Sequence, residues 1–189
     1  WKEKKNVRRK IAAVFVSDIS GSMDGYPLQN LKIALEEGAQ FIDPNNAIGL
    51  VEYSTKVYKR LPIQPFDALH QSRYLSAVKL MEPEQKTSMF DGIIVALDML
   101  LDYTTDNSEY RPVLFVLTDG LTNTGRYQQM NDVARIINTL NIPVYTIAYG
   151  EETNTPLLKD ISGINEAASM SANDEAIVNK IGALLNLEM

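Results

Sequence analysis

Residues 11–22 read IAAVFVSDISGS: six apolar residues from Ile11 to Val16, then Ser17-Asp18-Ile19-Ser20-Gly21-Ser22. A continuous apolar run that stops at polar, turn-forming residues is the pattern of a strand covered on both faces, as parallel strands are. Val113–Leu117 (VLFVL) and Val144–Ala148 (VYTIA) repeat it. Ala47–Tyr53 reads as a further strand and Lys56–Ile63 as a fifth. Only Ser54 and Thr55 separate those two, too few for a crossover, so they are expected to form an antiparallel hairpin. Lys56, Lys59, Arg60 and Pro62 suit the fifth strand to a sheet edge, where cations and a missing N–H are tolerated.

Helical spacing fills the intervals. Leu28, Leu31, Leu35, Ala39 and Ile42 follow it after Pro27, as do Met89, Ile93, Leu97 and Leu100, and Met130, Val133, Ile137 and Leu140. A last helix over Asp174–Leu187 is expected from Ile177, Ile181 and Leu184, with Asn173 as its N-cap, and shorter helices near 67–79 and 155–161. Strands and helices alternating in this way predict an α/β fold. Its sheet is doubly wound and mainly parallel, with one antiparallel edge strand and helices on both faces.

Composition excludes several classes. The 189 residues, 45% hydrophobic and 22% charged, suit one globular domain rather than a disordered or fibrous chain. No apolar run reaches the ~18–20 residues of a membrane span. The absence of cysteine rules out disulfides, thiolate metal sites and cysteine catalysis, and a single histidine, His70, removes multi-histidine centres. Residues 1–10 (WKEKKNVRRK) carry six positive charges and one negative, which leaves 12 against 23 in residues 11–189, a net of −11. The first segment reads as a basic linker and residues 11–189 as one acidic domain, a poor match to nucleic acid. The chain opens with Trp and has no signal-peptide pattern, the expectation for a piece of a longer protein with its localisation signals upstream. That protein's compartment, extracytoplasmic or cell-surface among the options, is not written in these residues.

In a doubly wound sheet, ligands bind beyond the carboxyl ends of the strands where the winding reverses. The first strand ends in Asp18-Ile19-Ser20-Gly21-Ser22, a later one in Thr118-Asp119-Gly120, and Lys86-Thr87-Ser88-Met89 precedes a helix. If these strands are neighbours, the carboxylates of Asp18 and Asp119 and the hydroxyls of Ser20, Ser22 and Thr87 converge on one crevice. An all-oxygen set with few charges suits a hard divalent cation: Mg2+ or Mn2+ rather than Ca2+, which takes more oxygens and bidentate carboxylates. Each residue also has a plainer use. Asp18, Ser20 and Ser22 suit a turn, Thr87 a helix N-cap, Asp91 the first turn of that helix, and Asp24-Gly25 a turn into the first helix. His70, in a polar stretch, is expected at the surface.

Asp18-x-Ser20-x-Ser22, then Thr87, then Asp119-Gly120 after a buried strand resembles the metal-ion-dependent adhesion site of von Willebrand factor type A domains. The resemblance runs from Ile11 to about Leu187, and the Thr-Ser-Met-Phe-Asp-Gly run after residue 86 looks most like bacterial members. It implies a Rossmann-like fold that binds protein partners through the ion, generally without catalysis. Similarity to integrin-type A domains further implies coupling between the site and the final helix, Asp174–Leu187.

The leading expectation is therefore a binding module. Neutral hydroxyls from Ser20, Ser22 and Thr87 leave much of the ion's charge uncancelled, and an Asp or Glu of a protein partner or neighbouring domain supplies the missing oxyanion. An accessory or structural domain of a larger assembly, in which the ion merely braces loops, is the alternative. A metal-dependent hydrolase or phosphatase has less support. Gly-x-Ser-x-Gly and the Gly-rich phosphate loop are absent, no second Asp stands two positions after Asp18, and no general base accompanies the set.

Overall fold

A computed structural model describes residues 10–118, 130–148, 155–163 and 169–171. In chain order the elements are β1 (Lys10–Asp18), α1 (Tyr26–Gly38), β2 (Ala47–Tyr53), β3 (Val57–Pro65), α2 (Ala68–Lys79), α3 (Met89–Asp106), β4 (Tyr110–Thr118), α4 (Met130–Leu140), β5 (Val144–Ala148), α5 (Thr155–Gly163) and β6 (Ser169–Ser171). The strands form one sheet in the order β3-β2-β1-β4-β5-β6. All neighbouring pairs are parallel except β2 with β3. Starting from β1, the chain builds outward to one edge and then returns to build outward from the other side. That reversal places the carboxyl ends of β1 and β4 side by side.

The continuous apolar run of β1 is explained by its two partners in depth. Ile11, Ala13 and Phe15 pack into a core layer with Leu31 and Leu35 of α1 and Tyr74 and Val78 of α2. Ala12, Val14 and Val16 point the other way, toward Ile93 and Leu97 of α3 and Ile137 of α4. Successive strand residues face opposite sides, so with helices on both sides no position is left for a polar residue. Phe15, Phe115 and Tyr145 stack across three adjacent strands at centroid spacings of 5.3 and 5.4 Å.

Several boundaries differ from expectation, those of the edge strand and the first helix among them. The edge strand is antiparallel as expected but runs Val57–Pro65, and Tyr53 pairs with Val57, so Ser54–Lys56 form the connection. Pro62 lies inside this strand, tolerated because only β2 pairs with the strand and the register slips nearby, between Ile48 and Val51. The first helix stops at Gly38, and a 3-10 turn over Ala39–Phe41 carries the chain to the buried Ile42. His70 is not a surface residue. It is 2% exposed, with Nε2 2.6 Å from the Ile48 carbonyl oxygen and Phe66 edge-on to its ring. β6 had no counterpart in the sequence reading. The basic lead before Lys10, Asp119-Gly120 and the expected helix Asp174–Leu187 lie outside the described residues. No described helix is long and apolar enough to cross a membrane.

Candidate functional site

β1 ends at Asp18, whose side chain is fully buried. The Ser20 N–H and Oγ–H both donate to Asp18 Oδ1, at 2.8 and 2.5 Å. Thr118 Oγ1, at the end of β4, donates to Asp18 Oδ2 at 2.8 Å. Ser20 Oγ stands 3.0 Å from Ser22 Oγ. The result is a connected row, Thr118–Asp18–Ser20–Ser22, that begins in the core and ends at the exposed Ser22. Asp18 is not solvent-facing; hydroxyl and amide donors engage both of its carboxylate oxygens.

The loop before α3 is laid against this row. Glu84 N–H donates to the Ile19 carbonyl at 2.6 Å, and Gly21 N–H to the Gln85 carbonyl at 3.2 Å. A Cβ on Gly21 would stand 3.1 Å from Glu84 O and 3.3 Å from Gln85 O, so a glycine is what lets the two loops meet. Thr87, buried, follows Gln85 by two residues. It is not the N-cap of α3. Ser88 takes that position, and its N–H and Oγ–H donate across to the Ser54 carbonyl at 2.8 and 2.7 Å. The Glu84 carboxylate accepts from Ser54 Oγ and, at 3.2 Å, from Tyr58 Oη. The Thr87 loop is thereby tied to the end of β1 on one side and to the β2–β3 hairpin on the other. Desolvation and the Glu84 carboxylate push the Tyr58 phenol up from its ordinary value, which keeps it a donor.

Asp24-Gly25 makes the expected turn, with Gly25 at φ 83° ahead of α1, and Asp91 sits in the first turn of α3. Of the five expected ligand residues, Asp18 touches Ser20 and Ser20 touches Ser22, and Thr87 stands two residues after the Gln85 whose carbonyl accepts from Gly21. Asp119 lies outside the described residues, and its predecessor Thr118 is bonded to Asp18. Thr118, Gly21, Ser54 and Glu84 are the contributors that sequence reasoning missed as part of the site. Their roles depend on which strands and loops are neighbours, which spacing along the chain does not carry.

The donors suit a small hard cation. All of them are oxygens, the ligand type that Mg2+, Mn2+ and Ca2+ take. The Ser20 and Ser22 hydroxyls, 3.0 Å apart, lie within hydrogen-bond distance of each other. Among the described residues no group of three or more His, Cys, Asp or Glu side chains gathers to offer a competing centre.

Known proteins share this arrangement of elements. A family model described as von Willebrand factor type A domain matches residues 13–182. Inter-alpha-trypsin inhibitor heavy chain H3 of Mesocricetus auratus is 25% identical over 174 residues, which cover 88% of this chain and 19% of that protein. The chain thus spans about a fifth of the length of that relative. Among solved structures, a von Willebrand factor type A protein from Catenulispora acidiphila superposes with a TM-score of 0.80 at 17% identity, covering 95% of this chain and 43% of that one. Manganese-loaded TRAP protein of Plasmodium vivax superposes with a TM-score of 0.64 at 20% identity, covering 92% and 74%. Proximal thread matrix protein 1 from the mussel byssus, with a zinc-occupied MIDAS motif, gives 0.72 at 15% identity, covering 93% and 46%. On the family match over most of its length, and with the sheet order and helical layers that accompany it, this chain belongs to the von Willebrand factor type A domain family.

Proposed function

We propose that this domain is a protein-binding module that captures an acidic residue of a partner through a divalent cation held by Asp18, Ser20, Ser22, Thr87 and Asp119. The observation that carries the reading is the Asp18–Ser20–Ser22 row at the carboxyl end of β1, with the Thr87 loop bonded to it at Gly21. Mg2+ or Mn2+ suits this small ligand set better than Ca2+, which takes more oxygens and bidentate carboxylates, and the manganese- and zinc-bearing neighbours support a divalent ion. When bound, the cation supplies a coordination position open to an outside carboxylate. The chain's own residues do the rest. Thr118 and the Ser20 amide fix the Asp18 carboxylate, Asp18 orients the Ser20 hydroxyl, and the Glu84–Ser54 brace holds the loop that presents Thr87. Because three of the five ligands are neutral, the two carboxylates do no more than balance the ion's charge, and an incoming Asp or Glu meets no excess of negative charge. The set adds no histidine or further carboxylate to serve as a general base, which favours binding without catalysis.

The test is calorimetric titration of Mg2+ and Mn2+ together with capture of the native partner, with and without EDTA, for the unsubstituted chain and for Thr87→Ala and Asp119→Ala. Loss of the partner on chelation and in both variants is expected. Capture at full strength in all three would remove the ion from the mechanism and leave the accessory-domain reading in its place.

A further inference from the structure

A groove of about 560 Å³ lies between α2 and the edge strand β3. Its polar lining is Glu52 and Arg60 from the hairpin and Ser72, Arg73 and Ser76 from α2. None of these residues belongs to the site described above. Arg60 donates from Nε to Glu52, which is almost fully buried, and its guanidinium lies over the Tyr58 ring at 4.3 Å from the centroid. Two contacts therefore fix the plane of the guanidinium while engaging one of its five N–H donors. Arg73 has no ion-pair partner among the described residues, and the exposed Ser72 and Ser76 hydroxyls have no hydrogen-bond partner among them. Two arginines against one glutamate make the lining positive by one charge, on a chain whose net charge is −6. The apolar part includes Leu61 and Leu80, and Leu80 is 78% exposed.

We propose that this groove is a second binding site, independent of any metal, that takes an acidic peptide segment of a partner protein. An Asp or Glu carboxylate of the segment sits between Arg60 and Arg73, and an adjoining apolar side chain lies over Leu61 and Leu80. Guanidinium is the cation whose planar fork matches a carboxylate, and Glu52 and Tyr58 hold Arg60 in place before the ligand arrives, which reduces the ordering cost. A basic segment would meet two guanidiniums, and a purely apolar one would leave Arg73 uncompensated. Charge complementarity therefore selects the acidic segment.

The experiment is an NMR titration of the 15N-labelled chain in EDTA with three probes: acetyl-Leu-Glu-Leu-amide, its Gln counterpart, and inorganic phosphate. The Glu peptide is expected to shift the amide signals of Arg60, Leu61, Arg73, Ser76 and Leu80. Arg73→Glu should weaken that binding roughly tenfold, while Arg73→Lys stays within about threefold. The exposed position of Arg73 keeps both variants folded, which their own spectra verify. Absence of shifts at millimolar Glu peptide, equal binding of the Gln peptide, or phosphate moving the same signals as strongly would each overturn the proposal. Because EDTA is present throughout, failure here leaves the metal-dependent reading standing, and failure of that reading leaves this one intact.

Discussion

Thr118 Oγ1 donates to Asp18 Oδ2 at 2.8 Å, joining residues 100 positions apart at the ends of two adjacent parallel strands. The bond is buried at both partners and its acceptor is a carboxylate, so it belongs to the stronger class of hydrogen bonds. Thr118→Val keeps the shape and removes the donor. It is expected to cost roughly 1.5–3 kcal/mol in urea denaturation and to weaken Mg2+ binding, with Thr118→Ser restoring most of both. Unchanged stability in the Val variant would show that Asp18 Oδ2 is adequately held by other groups.

Asp18 has two tasks that one substitution removes together. Asp18→Ala is expected to abolish Mg2+ and Mn2+ binding measured by calorimetry. Because it also leaves the buried Ser20 and Thr118 donors short of an acceptor, it should lower stability by about 1–3 kcal/mol. Undiminished ion binding in a folded Asp18→Ala chain would sink the ligand assignment.

The contact between Gly21 and Gln85 leads to a test that touches no ligand. Gly21→Ala adds a methyl 3.1 Å from Glu84 O and should push the Thr87 loop outward, costing about 1–2 kcal/mol and reducing ion affinity. Gly38→Ala is the control, because its added Cβ meets nothing within 4 Å and φ there is −60°. That variant should be neutral or gain up to ~1 kcal/mol with ion binding intact. Equal behaviour of the two variants would contradict the loop contact.

Burial pushes the Glu52 carboxyl above its ordinary value of 4.5, and the Arg60 contact only partly opposes this. The folded state then holds the Glu52 proton more tightly than the unfolded chain does. Glu52 therefore costs stability above its raised pKa, and the cost fades as the pH falls through that value toward 4.5. Glu52→Gln is expected to match or exceed the unsubstituted chain in urea denaturation at neutral pH, with the gap closing in mild acid. A Gln variant that is less stable at neutral pH would mean that the ion pair outweighs desolvation.

The sheet could be read from the chain because its determinants are local. The runs at Ile11–Val16 and Val113–Leu117 admit no polar residue and Val144–Ala148 only Thr146, so both faces had to be covered. The short Ser54–Lys56 connection forces β2 and β3 antiparallel by its length alone. Asp18, Ser20 and Ser22 were legible for the same reason: their spacing puts them on one turn. His70 is instructive because the same logic was available for it. His70, Tyr74 and Val78 recur every four residues and form the buried stripe of α2, but the polar neighbours Gln71, Ser72 and Arg73 masked that period.

Long-range proximity alone decided the rest. That Thr118 is the residue bonding Asp18, that Gly21 must be bare to admit Gln85, and that Glu84 braces Ser54 and Tyr58 all follow from which strands and loops became neighbours. The same holds for the groove that Arg60 and Arg73 both line. Periodicity and turn chemistry act over a few residues, so the chain by itself determined its elements and the residue types at their ends. Burial of both faces of one sheet then brought those ends together, and only that tertiary packing turned separate polar residues into a hydrogen-bonded site.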